Sequence, residues 1–128
     1  VSPEVKFCLL DMMRDDRVWN AFGIASRKVG VAVPKLVTGP VATSVAVLAD
    51  GKVRDSIAQT QHRAVVGIDM ETYSVYVAAE SSHSVAHFIS LKAVCDGGDK
   101  DKDDEYQAYA AEVSAATAVA FIKRFSGA

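Results

Sequence analysis

Short apolar runs alternate with helix-spaced stripes through the second half of the chain, and this alternation restricts the fold more than any other feature. Val65 to Ile68 reads as a short buried strand and Glu71 to Ser81 as a helix. Phe88 to Cys95 follows, apolar except for Ser90 and Lys92, the pattern of a strand covered on both faces. The last helix opens near Asp103 and Asp104, where the macrodipole favours negative charge. It carries Tyr106, Tyr109, Ala110, Val113, Ala116, Thr117 and Ala120 at helical spacing, has Lys123 and Arg124 in its final turn, and stops at Gly127. Its alanines would let it lie close to a sheet. Strand, helix, strand, helix predicts an α/β layered fold.

The first half is less regular. Val5, Cys8, Leu9, Met12 and Met13 form a helical stripe over residues 4–13. Residues 17–26 are ambiguous, although Trp19 and Phe22 would share a helix face as core anchors. Val31 to Val37 suggests one strand and Val41 to Leu48 another, with Pro34 and Gly39-Pro40 interrupting. Ala49-Asp50-Gly51-Lys52 carries a turn signal, and residues 52–61 read as a short polar helix.

Composition narrows the function classes. With 128 residues, the chain has material for one domain with a core. Its formal net charge is −2, and no stripe of Lys and Arg interleaves with aromatics, so no nucleic-acid partner is expected. No apolar stretch spans a bilayer. Cys8 and Cys95 lack metal-type spacing and read as reduced thiols of a cytoplasmic protein. The acidic run from Asp96 to Glu105 fails the calcium-loop template, because Asp104 stands where the turn Gly belongs and Ala110 where the closing Glu belongs. His83 and His87 straddle a helix-to-strand connection, so no metal site is expected. Thr38 to Ser44 has the outline of a phosphate nest, but Pro40 removes one N–H.

Two carboxylates stand at the ends of apolar runs. Glu71 opens a helix, where backbone N–H groups favour its anion, and its oxygens can accept two neighbouring hydroxyls such as a ribose 2′,3′-diol. Asp96 ends a strand and opens a Gly-Gly-Asp loop, where burial would suit it to act as a general acid. Taken alone, Glu71 reads as a charge that helps cap its helix, and Asp96 as a loop residue that turns the chain. Together they are more informative, since both strand ends would face one crevice. Lys92, a long charged side chain in the same run, would pair with Glu71 or Asp69, or snorkel to solvent.

Ile68-Asp69-Met70-Glu71, then a helix and a strand ending Lys92-Ala93-Val94-Cys95-Asp96-Gly97-Gly98-Asp99, resembles the C-terminal half of the nucleoside phosphorylase superfamily. That superfamily includes methylthioadenosine/S-adenosylhomocysteine nucleosidase. The tail from Lys102 to Ala111, with Ser114-Ala115, resembles modules in larger bacterial signalling or defence proteins. The resemblance covers about residues 33–125. It implies a three-layer α/β fold, a mixed sheet with flanking helices, present here without its N-terminal half. It implies that Met70 packs on the ribose, that Glu71 binds its hydroxyls, and that Asp96 protonates or hydrogen-bonds to purine N7. Cys95 replaces a family serine, Lys92 stands where many relatives have Arg, and Val47 and Leu48 occupy the place of a base-stacking aromatic.

The implied activity is hydrolysis of a purine nucleoside or nucleotide at its N-glycosidic bond, releasing adenine or a related base. The alternatives are phosphorolysis by the same site and a non-catalytic nucleoside-binding or assembly module. No cofactor is implied, and relatives are often homodimers. Residues 1–30 match nothing in the family's N-terminal half, and the chain begins at Val1. The expectation is therefore part of a longer domain, completed by or fused to other segments.

Overall fold

The computed structural model describes residues 2–20, 22, 30, 32–43, 51–60, 64–83, 88–96 and 106–127. They form a mixed α/β arrangement of helices and a small parallel sheet. In chain order the elements are α1 (Pro3–Met13), α2 (Asp16–Asn20), β1 (Val41–Thr43), α3 (Gly51–Thr60), β2 (Gly67–Asp69), α4 (Thr72–Ser81) and α5 (Gln107–Ser126). The chain divides into two compact units. One comprises Val1–Val37, Leu91–Cys95 and Glu105–Ala128, and the other Thr38–Ser90 and Asp96–Asp104.

The first unit is helical. Ser2 caps α1, its Oγ accepting the Val5 amide at 3.4 Å, and Pro3 occupies the first turn, where its missing N–H costs nothing. Val5, Cys8, Leu9 and Met12 are buried, with Val5 and Met12 essentially removed from solvent. Each such side chain contributes about 1.5–3 kcal/mol. α5 packs on α1 and buries Ala110, Val113, Thr117 and Phe121. The Thr117 hydroxyl is satisfied within its own helix by the Val113 carbonyl at 2.7 Å. Trp19 is the expected core anchor. Its Nε1 donates to the Met12 carbonyl at 2.9 Å, which also accepts the Asp15 amide at 3.1 Å, and its ring stacks with Phe22 at 6.3 Å between centroids. Gly127 closes α5 in the left-handed region with φ 72°, the stop expected there.

A charge cluster joins the ends of these helices. Arg124 on α5 reaches Asp15 at 2.8 Å and Asp11 at 2.9 Å. Arg17 adds a two-pronged bond to Asp15, with Nε at 2.9 Å and Nη2 at 3.0 Å. Hydrogen bonds from Arg17, then from Arg124, hold the Asp15 carboxyl well below the usual carboxylate range. Burial pushes the Cys8 thiol up, as befits a small core side chain. Neither Cys8 nor Cys95 is in a disulfide.

The second unit holds the sheet. β1 and β2 run parallel, in the register Val41 to Gly67, Ala42 to Ile68 and Thr43 to Asp69. The connection through α3 has the length that a parallel pair requires. The Val66 amide donates to the Pro40 carbonyl at 2.9 Å, extending the contact upstream. Gly39 permits this approach, since a Cβ there would lie 2.5 Å from Val66 Cγ1. The Gly39-Pro40 segment thus serves strand pairing.

Two strand expectations fail. Residues 32–40 are irregular, with Val37 63% exposed. Pro34 lacks the N–H that a sheet ladder would use there. Residues 88–96 are irregular as well. The Ala93 amide goes to Ser114 Oγ on α5 at 2.8 Å, not to a neighbouring strand. Exposure alternates from Leu91 to Cys95, with Lys92 and Val94 outward. The run is therefore extended and one-sided, and Lys92 is exposed instead of lying in a doubly covered strand. β2 is half-buried, not fully buried, and ends one residue later than expected, at Asp69. α1, α3 and α4 match their expected bounds to within a residue, α2 falls at the start of the ambiguous 17–26 stretch, and α5 begins at Gln107, with Asp103 and Asp104 outside the described residues.

Candidate functional site

The parallel register sets the C-terminal ends of β1 and β2 side by side, where open α/β sheets place their ligands. Met70 and Glu71 follow β2 directly, between the strand and the first turn of α4. Both are exposed, Met70 by 43%. Glu71 is the residue preceding α4, as expected, but its side chain makes no capping bond, and its carbonyl accepts the Val75 amide at 3.2 Å.

Capping falls to Asp69. Its Oδ1 accepts the Thr72 amide at 3.3 Å and the Thr43 hydroxyl at 3.0 Å, and its Oδ2 accepts the Thr72 hydroxyl. The Asp-x-x-Thr spacing explains the local fold: a short carboxylate three residues before an open amide satisfies one of the helix's unpaired donors. The Thr72 hydroxyl also meets Ser90 Oγ at 3.2 Å. Because its single proton goes to Asp69, Ser90 donates in that contact. One turn along α4, Tyr76 meets Phe88 edge-to-face with centroids 5.5 Å apart. Phe88 and Ser90 thus attach the start of the 88–96 run to α4.

Asp96 is half-buried, in the same unit as Met70 and Glu71. Lys92, exposed, and Cys95, half-buried, belong to the helical unit. Val47, Leu48, His87 and the loop residues Gly97, Gly98 and Asp99 lie outside the described residues.

The sequence places Thr43 in the phosphate-nest outline and Asp69 in the Ile68–Glu71 motif and as a partner for Lys92, and assigns no site role to Thr72 or Ser90. The Asp69-Thr72 spacing is a local signal that points to the cap. Nothing local links Thr43 or Ser90 to it, because both contacts depend on tertiary placement.

Compared with protein-family models, curated proteins and solved structures, the chain matches none. Among the described residues, no helix is long and apolar enough to cross a membrane.

Proposed function

We propose that this chain carries the sugar- and base-handling residues of a purine nucleoside N-glycosidase with a three-layer, nucleoside-phosphorylase-like fold. Glu71 accepts the ribose hydroxyls, Met70 covers the sugar, and Asp96 donates a proton to N7 as the N9–C1′ bond breaks. The bonding electrons leave with the base. Water adds to C1′ and loses a proton, giving free base and free sugar. Proton donation to the leaving base contributes roughly 10²–10⁴-fold. Cys95 directly precedes the acid in the chain. The working form is a cytoplasmic homodimer.

The observation that carries this reading is the register that ends β1 and β2 together, with Met70 and Glu71 immediately after β2. A carboxylate on exposed chain at such a point is placed to accept hydroxyls from a ligand seated over the strand ends. The sequence motifs supply the rest. Free adenine is the readout, with methylthioadenosine, adenosine and adenine nucleotides as substrates, with and without phosphate. Release without phosphate is expected. A phosphate requirement with ribose 1-phosphate as product would replace hydrolysis by phosphorolysis. Heat protection by nucleoside with no base released would replace the enzyme by a binding module.

A further inference from the structure

Resting on the reading of Glu71 as the ribose ligand, we infer that Asp69 is a positioning residue for it. Asp69 and Thr72 bracket a two-residue turn whose only members are Met70 and Glu71. The Asp69 carboxylate closes that turn from both ends. It accepts the Thr72 amide and hydroxyl on the far side, and the Thr43 hydroxyl fastens it to β1. Ser90, donating to Thr72, adds a contact from the segment whose Phe88 also packs on α4. An ionised carboxylate only accepts, so each of these donors pulls toward one point. Charge-assisted bonds of this kind are stronger than neutral ones and fix direction as well as distance.

Burial does not hold this turn, since Met70 and Glu71 are exposed and β2 is only half-buried. The polar closure determines where the Glu71 backbone sits. A displacement of about 1 Å in a positioning group costs up to about a hundredfold in rate. Loss of Asp69 therefore acts through the sugar hydroxyls and spares the chemistry at the base.

The test compares adenosine with 2′,3′-dideoxyadenosine, which lacks both hydroxyls, by kcat/KM in the protein containing this chain. Asp69→Ala is expected to lower the preference for adenosine roughly ten- to a hundredfold, mainly through KM. Asp69→Asn should lower it less, Thr72→Ser should keep it, and in a Glu71→Ala background Asp69→Ala should add nothing. If Asp69→Ala does not fold, Thr72→Val removes one of the donors to Asp69 at nearly constant shape and serves in its place. Equal losses on both substrates, or an unchanged preference, would overturn the positioning role while leaving the glycosidase reading intact. No base release from any purine nucleoside by the unaltered protein would overturn both.

Discussion

Among the described residues, every buried side chain lies on α1, α2 or α5, from Val5 and Met12 to Trp19 and Phe121. The described residues of the sheet unit include none in that class, and even α4, with Tyr73, Val75, Tyr76 and Val77, leaves these four exposed. Its described residues are tied instead by the Asp69 knot, the Val66 to Pro40 backbone bond, the close seat of Gly39 and the Tyr76–Phe88 ring contact. The candidate ligand residues Met70, Glu71 and Asp96 all belong to this second kind of structure. The buried side chains and the candidate ligand residues therefore lie in different parts of the chain. Such division is expected where binding segments are drawn from the less stable end of a fold.

Substitutions that affect one unit and spare the other would sharpen this contrast. The largest effect is expected from Met12→Ala in the helical core, about 2–5 kcal/mol by urea unfolding. A loss under about 1 kcal/mol would mean that the site collapses easily or is not the core. Next comes Gly39→Ala. The added methyl meets a β-branched side chain with little rotamer freedom, so about 1–3 kcal/mol is expected. In hydrogen exchange its effect should concentrate on amides of Val66 to Asp69, with α1 and α5 little changed. Equal loosening of the helices would break the comparison.

The smallest effect concerns pH. Asp15 is depressed in the folded chain, so its pairing with Arg17 and Arg124 stabilises at pH values above its unfolded pKa, about 4. That contribution is lost as pH falls below about 4 toward the folded value. The unfolding midpoint should be flat in this respect from pH 7 to 5 and decline below, and Arg124→Gln should weaken the decline. The same acid dependence in the variant would remove Arg124 from the cause.

The helices were legible because their signals are local. The stripe Val5, Cys8, Leu9, Met12 and the run from Ala110 to Thr117 mark both the element and its buried face. The Phe88 to Cys95 run misled because apolarity does not say which partner takes the backbone bonds. Here Ser114 on α5 takes the Ala93 amide. Of the candidate site, Glu71 and Asp96 stand out in the sequence through their flanking motifs, and the structure places Glu71 between β2 and α4 and leaves Asp96 half-buried. The closure beside Glu71 was not recognisable. Thr43, Asp69 and Ser90 are far apart in sequence, and the same holds for Arg124 and Asp15.

Asp96→Asn, followed by two readings on one preparation, tests the division of labour most directly. Free adenine release from purine nucleoside should fall by roughly 10²-fold or more, while the urea midpoint stays within about 0.5 kcal/mol of the unaltered protein. Undiminished release would contradict the role of Asp96, and a fall in release matched by a lost unfolding transition would contradict the separation of site from core.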